Sequence, residues 1–176
     1  INPLTGQIVT LENNWELWLS SSKRLEASVF SPVDGDPYVD GVFVAGSGPV
    51  IVSSEGTVAA EAEADGSYGM MIVTDSSWTQ KPWVLEETAY GTPSHPAILV
   101  HANAGITFDL EALRQTLTDL ELVRFRAICG VPASEAAESQ ARQVDTRMKV
   151  LIDGREVFDR LIRHGQAEAY EVKAAI

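Results

Sequence analysis

PSHPAILVHANAGITFDLEALRQTLTDLELVRFRAIC, residues 93–129, is the stretch whose reading decides the fold. Ile98, Leu99 and Val100 form a short apolar run rich in β-branched residues, the mark of a buried strand. Ala102, Ala104 and Gly105 follow and permit close backbone approach. Ile106, Thr107 and Phe108 read as a second strand. Asp109 then stands where a helix N-cap belongs, because its carboxylate can accept from free backbone N–H groups. Leu110, Leu113 and Leu117 share one helical face, with Glu111, Arg114 and Gln115 outside it. From Leu122 the period changes to two: Val123, Phe125, Ala127 and Cys129 point one way, Arg124 and Arg126 the other. Strand, short helix, strand is the order this predicts. Cys129, on the apolar face, is expected to be buried and unpaired, with His101 mostly buried beside it or near the helix.

Outward from this stretch, the pattern is again mostly period two. Gln7 to Phe30 offers three strand-like segments, around Ile8, Trp15 and Leu25. Ser31 to Asp40 carries Pro32, Asp34, Gly35, Asp36, Pro37 and Asp40 and reads as a hinge or boundary. Its three carboxylates suggest a calcium loop, but the D-x-[DN]-x-[DN]-G order and closing Glu of an EF-hand are missing, so a solvated turn is the stronger reading and no cofactor is expected. Tyr38 to Val44 and Val50 to Val52 are strands. Val58 to Ala64 is a helical turn or an irregular strand, and Tyr68 to Thr74 is a central strand. Residues 130–144 form a polar, alanine-rich segment that suits a helix capped by Ser134 or an irregular loop. Met148 to Leu161, folded about Asp153-Gly154, is the surest hairpin, since Asp-Gly suits a type I′ turn. Ala169 to Val172 is the last strand.

Composition narrows the function. The 176 residues carry a net charge of −12, which argues against nucleic acid and anionic membranes, both of which need clustered Lys and Arg. There is no apolar run long enough for a membrane span. A single cysteine excludes an internal disulfide. Ile1 is not a start methionine, so native targeting is not visible. No GxSxG elbow, HExxH or phosphate loop accompanies the histidines or glycines. The adjacent carboxylates Asp34/Asp36 and Glu86/Glu87 are not placed by adjacency across a glycosidic bond.

Residues 75–92 show no clear period and hold Trp78, Trp83 and Tyr90. Long irregular segments are often functional, and flat aromatic faces suit the C–H face of a pyranose as well as a protein interface. The competing reading is that each indole caps the core. His101 either hydrogen-bonds backbone or touches a ligand, and Asn103 beside it either serves a sugar hydroxyl or caps a bulge. His95, between Ser94 and Pro96, reads as an idle turn residue.

HANAGITFDL (residues 101–110), LVRFRAICGV (122–131) and MKVLIDGREVF (148–158) together resemble the NPCBM family of carbohydrate-binding β-sandwich modules, over about residues 38 to 172. That resemblance implies a galactose-binding-like, jelly-roll-like antiparallel β-sandwich with one short helix. It also implies a non-catalytic module of a larger bacterial protein, secreted or on the cell surface, with a glycan or small saccharide as partner through Trp78, Trp83, Tyr90, His101 and Asn103. A structural or protein-interaction module on the same sandwich is the alternative. Residues 1–31 are expected as strands packed on a sandwich spanning 38–176. The family pattern calls for further strand after Ala169–Val172, so an open sheet edge and self-association are expected there.

Overall fold

The computed structural model describes residues 27–33, 37–46, 48–62, 71–74, 83–92, 94–95, 97–100, 103–133, 143 and 145–176. The chain is mainly β, with antiparallel sheets and, among the described elements, one helix. It divides into two compact units, one formed by residues 1–74 and 98–121, the other by residues 75–97 and 122–176. The expected strands before residue 27 lie outside the described residues, as do Asp34, Asp36 and most of the segment at 130–144.

In the first unit, β1 (Phe30–Pro32), β2 (Val39–Val44) and β9 (Ala104–Phe108) make a sheet with β2 in the middle. The Pro- and Asp-rich segment at 31–40, expected as a boundary, instead joins two strands that pair with each other, Phe30 opposite Phe43. Both faces of β2 are covered, which explains its run of apolar residues. Val42 and Val44 are 1% exposed on one face. On the other, the ring of Phe43 lies over Gly105, its partner on β9, and the ring of Phe30 lies over Gly41. Glycine is required at both places because an aromatic ring occupies the space of a Cβ.

β3 (Gly48–Ile51) and β4 (Val58–Ala62) pair as a second ribbon, so the undecided segment at 58–64 is strand in its described part. Val50 and Val52 pack with Ala45, and Phe43 and Ala59 close the cluster. Full burial of an aliphatic side chain contributes about 1.5–3 kcal/mol, so each of these valines is a sizeable stabilising term. The Thr107 hydroxyl donates to the Val52 carbonyl and ties β9 to the end of this ribbon. β5 (Met71–Thr74) pairs with β8 (Ala97–Val100).

The helix α1 (Leu110–Thr116) starts as its sequence dictates. Asp109 has extended backbone and its carboxylate accepts the Ala112 N–H at 2.9 Å. The Asp109 N–H donates to the Tyr38 carbonyl at 2.9 Å, which fixes the cap against the start of β2. Leu117 is buried just past the last turn, while Leu110 and Leu113 are half-buried.

Among the described residues the second unit holds three ribbons. β6 (Trp83–Leu85) and β7 (Thr88–Tyr90) form a short hairpin inside the stretch that shows no period. β10 (Arg124–Cys129) pairs with β13 (Tyr170–Ala175) from Arg124 opposite Ala175 to Cys129 opposite Tyr170. β11 (Thr146–Ile152) and β12 (Arg155–Ile162) form the hairpin expected at Asp-Gly. Asp153 and Gly154 have φ of 48° and 74°, the pair of positive values that a type I′ turn demands. Ile162 and Val172 are fully buried. Leu85 packs under Gly130, where a Cβ would come within 2.8 Å of Leu85 Cδ2. The Arg160 guanidinium sits 4.7 Å from the centre of the Tyr170 ring and links β12 to β13.

Candidate functional site

Of the five residues singled out for a ligand, Trp78 and His101 lie outside the described residues. The structure gives the other three different surroundings. Trp83 is 7% exposed. Its partner across the hairpin is Tyr90, and residues directly opposite in an antiparallel pair share a face. Burial leaves the Trp83 indole little surface to offer a sugar, and it serves as core of the second unit. Asn103 sits in the turn before β9 with φ of 63°, a left-handed conformation that Asn tolerates better than most residues. Its carbonyl accepts the Ala45 N–H at 2.6 Å, and its side chain is exposed. The bond from the Asn103 backbone places this residue in the first unit, whereas Tyr90 belongs to the second.

Tyr90 is half-buried and ends β7. Immediately after it the chain turns back on itself. The Gly91 N–H donates to the His95 carbonyl at 2.8 Å, and the His95 N–H donates to the Thr92 carbonyl at 3.0 Å. Gly91 makes this possible with φ of 75°, a conformation that costs a side-chain-bearing residue free energy. The turn brings the His95 ring edge-on to Tyr90, with centroids 5.8 Å apart and planes at 66°. Thr92 Oγ1 and Ser94 Oγ lie 3.2 Å apart, and Ser94 Oγ is 3.2 Å from His95 Nδ1. Thr92 Oγ1 also accepts the His95 N–H at 3.1 Å.

The Tyr90 ring thus neighbours the His95 ring, and the Ser94 and Thr92 hydroxyls cluster at His95 on the same short turn. His95, which the sequence reading set aside as idle, belongs to this cluster. The signal that could have found it is the Gly-Thr-x-Ser-His string directly after an aromatic strand end, a turn composition that carries side-chain hydroxyls back toward the strand.

Other candidates have ordinary structural roles. Glu86 and Glu87 are the exposed turn of the β6–β7 hairpin, and Glu86 has φ of 53°. Asp40, of the calcium-loop reading, accepts the Ser54 N–H at 2.9 Å. Among the described residues no group of three or more metal-ligating side chains occurs, and no helix is long and apolar enough to cross a membrane. Cys129 is half-buried rather than buried. Its Sγ lies 3.6 Å from the Tyr170 carbonyl, and burial pushes the thiol pKa up. The alternation through β10 is real, but a two-stranded ribbon screens one face only in part.

The chain matches no family model, no curated protein and no solved structure.

Proposed function

We propose that the chain is a non-catalytic carbohydrate-binding module with a jelly-roll-like sandwich of NPCBM type, part of a larger secreted or surface protein. The observation that carries the reading is the Tyr90 turn: a half-exposed phenol ring beside the His95 ring, whose Nδ1 lies 3.2 Å from the Ser94 hydroxyl, with the Thr92 hydroxyl next to that. A pyranose presents an apolar C–H face and a rim of hydroxyls. The ring meets the first, and the hydroxyls and imidazole meet the second. The short motifs at 101–110, 122–131 and 148–158 lend the family likeness.

A glycan array tests this. Specific signal that disappears in Tyr90→Ala, while the variant keeps the wild-type unfolding midpoint, supports the reading. A blank array refutes it. A protein partner recovered together with a blank array would favour the alternative, a protein-interaction module. Exposed apolar side chains on strands, Ile128 on β10 and Leu161 on β12, speak for that alternative.

A further inference from the structure

Across the whole chain acids outnumber bases, 25 to 13. One face of the β10–β13 ribbon inverts that ratio. On it Arg124 stands opposite Ala175, Arg126 opposite Lys173, and Ile128 opposite Glu171. Three cations therefore share the face with one carboxylate. Glu171 is divided between two of them: Lys173 Nζ lies 2.6 Å from one oxygen, and Arg126 Nε lies 2.6 Å from the other. Both hydrogen bonds, that of Lys173 foremost, hold the Glu171 carboxyl below its usual range. Among the described residues the Arg124 guanidinium has no carboxylate partner. Among the described side chains the face therefore holds more positive than negative charge.

Arg124 and Lys173, with Val123, Ala174 and Ala175, line a shallow concavity of about 440 Å³. That is within the range small ligands occupy. Val123, 60% exposed, gives it an apolar edge. Its charged residues are Arg124 and Lys173.

The geometry points to this concavity as a binding site for a small ligand that carries one carboxylate. A guanidinium fork with no partner of its own matches a carboxylate through two parallel hydrogen bonds. Lys173, on the same face and lining the same concavity, adds a second positive charge, and Val123 offers apolar surface to the ligand's carbon skeleton. A dense polyanion is disfavoured by the net charge of −12. A single carboxylate at contact distance is governed by the local surplus, since charges beyond about 8–10 Å are screened. An acidic sugar and an acidic amino acid both present this chemistry. The site is separate from the Tyr90 turn and does not depend on its reading.

Amide NMR titrations of the full chain with glucuronate, glutamate, glucose and inorganic phosphate test the site. Glucuronate, glutamate or both should shift the amides of residues 123–124 and 173–175. Arg124→Gln and Lys173→Gln should each weaken that binding about tenfold, the loss of one charge-assisted hydrogen bond. Arg163→Gln, a cation lying 3.8 Å from Asp145, should leave it unchanged. Both test side chains are exposed, so the variants should keep the wild-type spectrum elsewhere. A response to glucuronate alone identifies an acidic sugar, and one to glutamate alone an acidic amino acid. A response to both shows that the carboxylate suffices. The proposal is overturned by silence from both carboxylates or by an equal response to glucose. It is also overturned if phosphate binds at least as tightly, or if binding is unchanged in both variants.

Discussion

Gly105→Ala is the substitution with the most decisive expected outcome. Gly105 has no positive φ, so on backbone grounds alone alanine should stabilise the protein by about 0.4–1 kcal/mol, by restricting the unfolded chain. The structure reverses the sign. A Cβ at Gly105 would fall within 2.6 Å of Cε1 and Cε2 of Phe43, closer than carbon atoms approach. The ring must tilt or β9 must shift, and overpacking of this kind costs about 1–3 kcal/mol. The net expectation is a loss of about 1–2 kcal/mol. In a Phe43→Ala background the obstacle is gone, and the same Gly105→Ala change should become neutral or stabilising by about 0.4–1 kcal/mol. The coupling energy of the pair is then about 2 kcal/mol. Native-state exchange of the Val42 amide reads this locally, which matters in a chain of two compact units where one global transition is not assured. Gly105→Ala should speed exchange about five- to thirtyfold, and Phe43→Ala should abolish that effect. Additive effects of the two changes, or slower exchange in Gly105→Ala alone, would refute the packing argument.

Trp83→Ala should destabilise the second unit by about 3–5 kcal/mol in urea unfolding, far more than Tyr90→Ala, because Trp83 is core and Tyr90 is half-exposed. Equal effects would mean that the indole is not interior. Asp145 accepts the His164 N–H at 2.7 Å, and this bond, with the His164 ring and Arg163 beside it, lowers its pKa. A carboxyl depressed in the folded state stabilises fully above its ordinary value and loses that contribution as pH falls through the depressed one. Asp145→Asn should therefore flatten the acid limb of a plot of unfolding midpoint against pH, and an unchanged limb would count against the clasp. Cys129 should react with a disulfide reagent at neutral pH more slowly than an unstructured cysteine peptide and at the same rate once unfolded, because burial raises its thiol pKa. Rapid labelling of the native protein would show the thiol to be more open than its place on β10 implies.

Local chemistry made part of this fold legible in the sequence. The cap at Asp109 needs only the N–H of Ala112, three residues on. The β11–β12 hairpin needs only two residues able to adopt positive φ between alternating strands, and Asp153 and Gly154 supply them. Alternation from Leu122 to Cys129 announced β10 because one face of a strand repeats every second residue. These features close over a few residues, so the chain's own spacing specifies them. What the sequence could not decide is what each element lies against. Strands of three residues, Trp83–Leu85 and Thr88–Tyr90, are too short to show a period. Their hairpin therefore read as an irregular aromatic loop. Whether an indole faces water or the interior depends on the neighbours that cover it, and for Trp83 only the tertiary structure shows the burial. Likewise β10 announces itself, but its partner β13 lies some forty residues on, across a segment whose sequence does not name the pairing. That pairing alone sets Arg126 against Lys173 and gathers the basic face. The Tyr90–His95 cluster is of the same kind: its hydrogen bonds are local, but the side on which the imidazole falls is fixed by the backbone turn at Gly91, a conformation that the residue permits and the folded chain selects.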